Sequence, residues 1–246
     1  MIVESVVDGT ELRFGKLFAA TWQLYRKYFV PVTVLAVFSV LPDWFGFFQD
    51  TGDEFDFARF SMEFLLAIII TVFPFMAVAV IAAEGAEGRY PCFADTVRRT
   101  LSVLPRAFIT YLLMMLFLAG WLLLLIIPGV IKMVRYSFVF QAVILRSAGY
   151  MEAFRYSQRL VKDYWWVTVF ATVMVFLPGI SVELLFWGAN GFSFQSTPGL
   201  SPIEAIIKVL TNGFFFVGDT LLFLALERIK DNHSAGDAVA ESVNEI

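Results

Sequence analysis

Between Ala107 and Ile131 no side chain is charged, and the stretch from Phe64 to Ala83 is equally free of charge. A helix needs about 20 such residues to cross the hydrocarbon core of a bilayer. Lipid offers no partner to a bare peptide group, so runs of this kind are helical wherever they meet it. The composition points the same way. With 59% hydrophobic residues, 16% charged residues and a mean hydropathy of +0.75, the chain lies far from the roughly 25% charged composition of water-soluble domains. The expected fold class is an all-α integral membrane protein.

Three further spans are plain. The first runs from Tyr28 to Pro42 and can extend through Phe48; the fifth starts at Tyr164 and is uncharged to Val182; the sixth covers Ile203 to Leu226. Pro74 is the expected kink of the second span, and Pro128–Gly129 the expected end of the third. The first thirteen residues carry Glu4, Asp8 and Glu11 where a secretory signal needs a positive and then an apolar region, so the first span is expected to stay in the mature chain.

The segment from Val130 to Ser147 is the weakest candidate. Its aliphatic, Phe and Met residues favour insertion by roughly 3 to 6 kcal/mol, whereas Lys132 and Arg135 each cost about 2.5 to 3.5 kcal/mol at a helix centre. The expected solution is a hairpin turning at Pro128–Gly129, which keeps both cations near the outer face with their stems snorkelling. Lys132 and Arg135 share one side of the helix and Ser137 and Gln141 another, so this span is expected to be enclosed by its neighbours.

Orientation follows from the loops. Arg13, Lys16, Arg26 and Lys27 form one basic group, Arg89, Arg98, Arg99 and Arg106 a second, and Arg146, Arg155, Arg159 and Lys162 a third. Six spans place all three on one side, which the positive-inside rule makes cytoplasmic. The intervening loop from 43 to 63 is acidic. Both termini are expected in the cytoplasm, with residues 1–10 as a short N-terminal segment, 11–230 as the six-helix domain and 231–246 as a disordered tail.

A repeat underlies the spans. Residues 14–42 align without gaps with 150–178, matching Phe18 to Phe154, Leu24 to Leu160, Tyr28 to Tyr164 and Pro42 to Pro178, with a weaker echo from Phe93. Each unit reads as an amphipathic helix feeding a hairpin. Such helices are expected to lie in the interface, apolar face among acyl chains and basic face among headgroups.

The stretch IPGVIKMVRYSFVFQAVILRSAGYMEAFRYSQRLVKDYWW, residues 127–166, and the closing DTLLFLALERIK, residues 219–230, resemble bacterial inner-membrane proteins similar to the membrane domain of glycerophosphoryl diester phosphodiesterases and the related YciC-like proteins. The likeness covers roughly residues 11–230. It implies a six-helix protein of the bacterial cytoplasmic membrane. That family usually has an acidic residue after the fourth span, where this chain has Arg146. Phosphodiesterase activity does not follow, because that chemistry belongs to a separate soluble barrel with catalytic histidines.

Lys132 and Arg135 are the sharpest site candidates, since ionisable residues within a span are functional hypotheses by default. They could hold an anionic headgroup or substrate, with Glu183 and Asp219 as partners. Arg26, Lys27, Arg98, Arg99, Arg155, Arg159 and Lys162 are candidate interfacial contacts to anionic phospholipid. No phosphate loop, catalytic triad, metal-binding helix motif or paired metal spacing occurs in the sequence, and one cysteine, Cys92, with one histidine, His233, cannot make a zinc cluster. No cofactor, metal or nucleic acid is expected. The expected function is non-enzymatic: a protein that binds or organises phospholipid. A transporter or lipid translocator using the intramembrane charges, and an assembly subunit of an envelope complex, are the alternatives.

Overall fold

The computed structural model describes residues 2–9, 11–44, 57–124, 126–189 and 202–244. The aromatic continuation of the first span to Phe48, most of the acidic loop and most of the loop before the sixth span lie outside the described residues. The described chain is almost wholly helical. A short helix α1 (Ile2–Val6) leads into a two-residue antiparallel pair, β1 (Val7–Asp8) and β2 (Glu11–Leu12), registered Val7 to Leu12.

The amphipathic helix α2 (Phe14–Lys27) follows, and at Tyr28 the chain turns by 94° into α3 (Phe29–Trp44). Pro31 falls in the first turn of α3, where its missing N–H breaks no helical bond. Tyr28 holds the corner, its hydroxyl donating to the Arg89 carbonyl at 3.2 Å while its ring lies against Gly85.

Next come α4 (Phe57–Ala86), α5 (Phe93–Leu124), α6 (Ile126–Arg135), α7 (Val139–Leu145), α8 (Met151–Val161), α9 (Trp165–Ala189) and α10 (Pro202–Asn244). Five segments are long and apolar enough to cross a membrane: α4, α5, α6 with α7, α9 and α10; the pair α2–α3, bent by 94°, adds a sixth if it is counted as one span. Pro74 and Pro178 lie inside continuous helices, and α9 runs through Pro178–Gly179 to Ala189. The chain is helical from Asp231 to Asn244, where the sequence suggested a disordered tail. Extending a helix already nucleated by packing costs far less than starting one, and DNHSAGDAVAESVN contains no proline.

The core lies where α2, α7 and α8 meet the second half of α4 and the middle of α10. Met76–Ala83 and Leu221–Phe223 are buried almost completely. The opposite character marks the outward faces of α3, α5, α6, α9 and the start of α10, where Val30, Leu116, Ile127, Phe170, Leu185 and Ile206 are exposed. Small residues bring helices close: a Cβ on Gly218 of α10 would lie 2.5 Å from Val175 of α9 and 3.2 Å from Thr21 of α2.

The amphipathic helices depart from the sequence expectation. Leu17, Ala20, Leu24 and Tyr25 of α2, and Ala153, Phe154, Leu160 and Val161 of α8, are buried in protein, packed on α10 and, for α8, also on α7. Their apolar faces meet neighbouring helices rather than acyl chains, because α10 offers Leu221, Leu222, Phe223, Ala225, Leu226 and Ile229 as a complementary surface. Several positions aligned by the repeat are buried alike in the two helices, Leu17 with Ala153, Thr21 with Ser157 and Leu24 with Leu160, but Phe18 is exposed where Phe154 is buried. The third unit differs: in α5 the basic segment and the apolar segment form one unbroken helix.

Candidate functional site

The fourth span is broken. Between α6 and α7, residues 136–138 form a turn, and the broken ladder leaves the Arg135 carbonyl and the Phe138 N–H without helical partners. Ser157 of α8, wholly buried, serves both: its Oγ donates to the Arg135 carbonyl at 2.8 Å and accepts from the Phe138 N–H at 3.2 Å.

This break changes the account of Lys132 and Arg135. Both cations occupy the last turn of α6, about 9 and 14 Å of helix rise beyond its first residue, Ile126. Pro128 and Gly129, the expected turn, lie inside α6 instead. The two cations sit where the carbonyl end of that helix concentrates negative potential, which favours cations. Lys132 Nζ also stands 5.0 Å from the centre of the Trp121 ring. Arg135 Nε is buried without a hydrogen-bond partner among the described residues.

Neither cation is joined to Asp219. That carboxylate, 5% exposed, accepts from the Gln141 side-chain amide of α7, whose own Oε1 lacks a partner among the described residues. Glu183 lies in α9, and its side chain is outside the described residues. The expected grouping of Lys132 and Arg135 with Asp219 is thus replaced by an Asp219–Gln141 pair.

The charged cluster that the structure does assemble lies at the end of α7. Arg146 makes a two-pronged bond to Glu227 of α10, Nε to Oε1 at 2.9 Å and Nη2 to Oε2 at 2.6 Å, and the Tyr156 hydroxyl of α8 also donates to Oε1. The Glu227 side chain is 9% exposed and that of Arg146 49%. The bond to Glu227 holds the guanidinium even more firmly protonated than usual. Burial, reinforced by Glu227, pushes the Tyr156 phenol well above its ordinary value. Two basic residues of α5 fasten the end of α7 and the linker after it, Arg99 donating to the Ile144 carbonyl at 3.1 Å and Arg106 to that of Ser147 at 3.0 Å. They hold the linker in an uncommon shape, since Ser147 and Tyr150 both have positive φ, 55° and 46°, and sparsely populated backbone conformations of this kind cost non-glycine residues of order 1 to 3 kcal/mol.

Beside this cluster opens a cavity of about 490 Å³ lined by Arg146, Tyr156, Arg159, Leu160, Glu227, Lys230 and Asp231. Lys230 Nζ donates to the Arg159 carbonyl at 2.7 Å, tying α10 to α8. Of the expected interfacial cations, Arg26, Lys27, Arg98, Arg155 and Lys162 are exposed; Lys27 stands over the rings of Tyr28 and Tyr90. Arg99 and Arg159 are exposed too, but Arg99 is bonded to the end of α7. Sequence reasoning missed Glu227, whose one cue is a carboxylate within a turn of the end of an apolar helix, as Arg146 is a cation in the same position. Among the described residues no three His, Cys, Asp or Glu side chains come together as metal ligands.

Comparison of the chain with protein-family models, with curated proteins and with solved structures finds no match. The function is therefore argued from the residues themselves.

Proposed function

We propose that the chain is a six-span, non-enzymatic protein of the bacterial cytoplasmic membrane that binds anionic phospholipid at the cytoplasmic face, with both termini on that side. The observation that carries this reading is a recurring pairing of exposed cations with exposed aromatics at the edge of the apolar surface. Along the chain Arg26 and Lys27 lie between exposed Trp22 and Phe29, Lys162 shortly precedes exposed Trp166 and Phe170, and Arg98 follows exposed Tyr90 and Phe93; Arg155 is exposed on the helix that leads to Lys162. Indole and phenol rings favour the headgroup level, where a neighbouring lysine or arginine contributes about 1 kcal/mol of attraction to an anionic leaflet. The enclosure of Asp219 with Gln141 favours binding over transport, which needs hydrated intramembrane charge.

Native mass spectrometry of the chain from bilayers mixing phosphatidylglycerol and phosphatidylcholine tests this. The variant Arg26→Gln/Lys27→Gln/Arg155→Gln/Lys162→Gln is expected to retain less phosphatidylglycerol while keeping its helical circular dichroism. Equal retention by variant and wild type would refute the reading.

A further inference from the structure

We propose that the cavity between α8 and α10 is a binding site for a single phosphoryl group, with Arg159 and Lys230 as its principal donors and Arg146 at its wall. The volume, about 490 Å³, falls in the range of roughly 300 to 1,000 Å³ typical of small-molecule sites.

The lining is rich in donors and poor in acceptors. Glu227 is already engaged by the Arg146 fork and the Tyr156 hydroxyl, so it neutralises Arg146 and has little capacity left for another donor. Arg159 has one hydrogen bond among the described residues, from Nε to the Arg155 carbonyl of its own helix at 3.3 Å. Its terminal nitrogens remain uncommitted there, and a guanidinium carries five N–H donors in all. Lys230 uses one of its three ammonium protons on the Arg159 carbonyl. The remaining carboxylate in the lining, Asp231, is exposed.

Once Arg146 is set against Glu227, two cations face one carboxylate, and their free donors outnumber its lone pairs. A phosphoryl group supplies several anionic acceptor oxygens at once, which an arginine fork and a lysine ammonium together are suited to meet. The same chemistry is presented by a phospholipid headgroup and by a free phosphorylated solute. Arg159 is one of the exposed cations expected at the interface, but it is not among the four replaced in the interfacial variant, so the two readings stand or fall separately.

The test uses the full chain in phosphatidylcholine nanodiscs, titrated calorimetrically with inorganic phosphate, with glycerol 3-phosphate and with succinate as a carboxylate control. Native mass spectrometry from phosphatidylglycerol nanodiscs runs in parallel. The comparison variants are Arg159→Gln, whose side chain is bonded only within its own helix among the described residues, and Arg159→Gln/Lys230→Gln. Each lost donor group is expected to weaken binding about tenfold.

Saturable binding of phosphate or glycerol 3-phosphate, weakened in Arg159→Gln, supports a soluble phosphorylated ligand. One phosphatidylglycerol retained per wild-type chain and lost in Arg159→Gln, without phosphate binding, supports a headgroup. Equal binding of succinate, equal affinity of Arg159→Gln, or no binding by either route overturns the proposal. The four-residue interfacial variant is expected to leave this binding unchanged, which separates failure of one reading from failure of the other.

Discussion

Replacing Ser157 by alanine removes one hydroxyl and orphans two backbone groups. The Arg135 carbonyl loses a donor at 2.8 Å and the Phe138 N–H loses an acceptor at 3.2 Å, at a site fully closed to solvent. A buried polar group left unpaired costs roughly 1 to 3 kcal/mol. The longer bond to Phe138 belongs at the low end of that range and the shorter one in the middle, so Ser157→Ala is expected to destabilise by about 2 to 4 kcal/mol. The cost has no local remedy, because the turn at 136–138 already takes the helix out of register and the alanine methyl can neither donate nor accept. Unfolding of the purified chain by detergent titration, followed by circular dichroism, measures the difference. Ser157→Cys, which keeps a weak donor and acceptor, is expected between wild type and alanine. A Ser157→Ala variant within about 0.5 kcal/mol of wild type, below the usual net worth of even one hydrogen bond, would refute the idea that this side chain caps the broken span.

Gly218→Ala places a methyl against Val175 and Thr21 and is expected to cost about 1 to 3 kcal/mol through overpacking, read in the same titration; Val175→Ala should recover part of the loss. Arg146→Ala and Glu227→Ala are each expected to destabilise, by about 1 to 2 kcal/mol after discounting for the half-exposed arginine. The double variant should lose less than the sum, a deficit that a double-mutant cycle would show. Asp219→Asn supplies a donor that can satisfy Gln141 Oε1, so stability is expected to hold or rise; a loss of more than about 1 kcal/mol would count against the assigned pairing. Because the folded Tyr156 phenol lies above its free value of 10.0, its contribution is complete below that pH and is lost as pH climbs towards the folded value. The stability advantage of wild type over Tyr156→Phe is therefore expected to shrink above about pH 10.

The apolar helices were legible in advance because length and the absence of charge are local properties. Phe64–Ala83 announces a long helix whatever surrounds it, whereas Ala107–Ile131 is divided between the end of α5 and the start of α6; the pairing of residues 14–42 with 150–178 foreshadows the matching buried positions of α2 and α8. The exposed cations of those helices were also legible, since alternation of basic and apolar residues at helical spacing marks the two faces.

Everything that depends on which surfaces meet was not. Periodicity shows that α2 and α8 have an apolar face, but lipid and a neighbouring helix are equally apolar, and only the packing on α10 decides between them. Lys132 and Arg135 read as a pair seeking Asp219, yet the structure gives Asp219 to Gln141 and sets the cations at the carbonyl end of a helix that stops in mid-span. Ser157 lies nineteen residues from Phe138, and Glu227 lies eighty-one from Arg146. Most helices and their polarity follow from neighbours along the chain, and so could be read from it directly. Tertiary structure alone decided the cap on the broken span and the cavity beside Arg146, because a hydrogen bond acts over about 3 Å in space and is blind to separation along the chain.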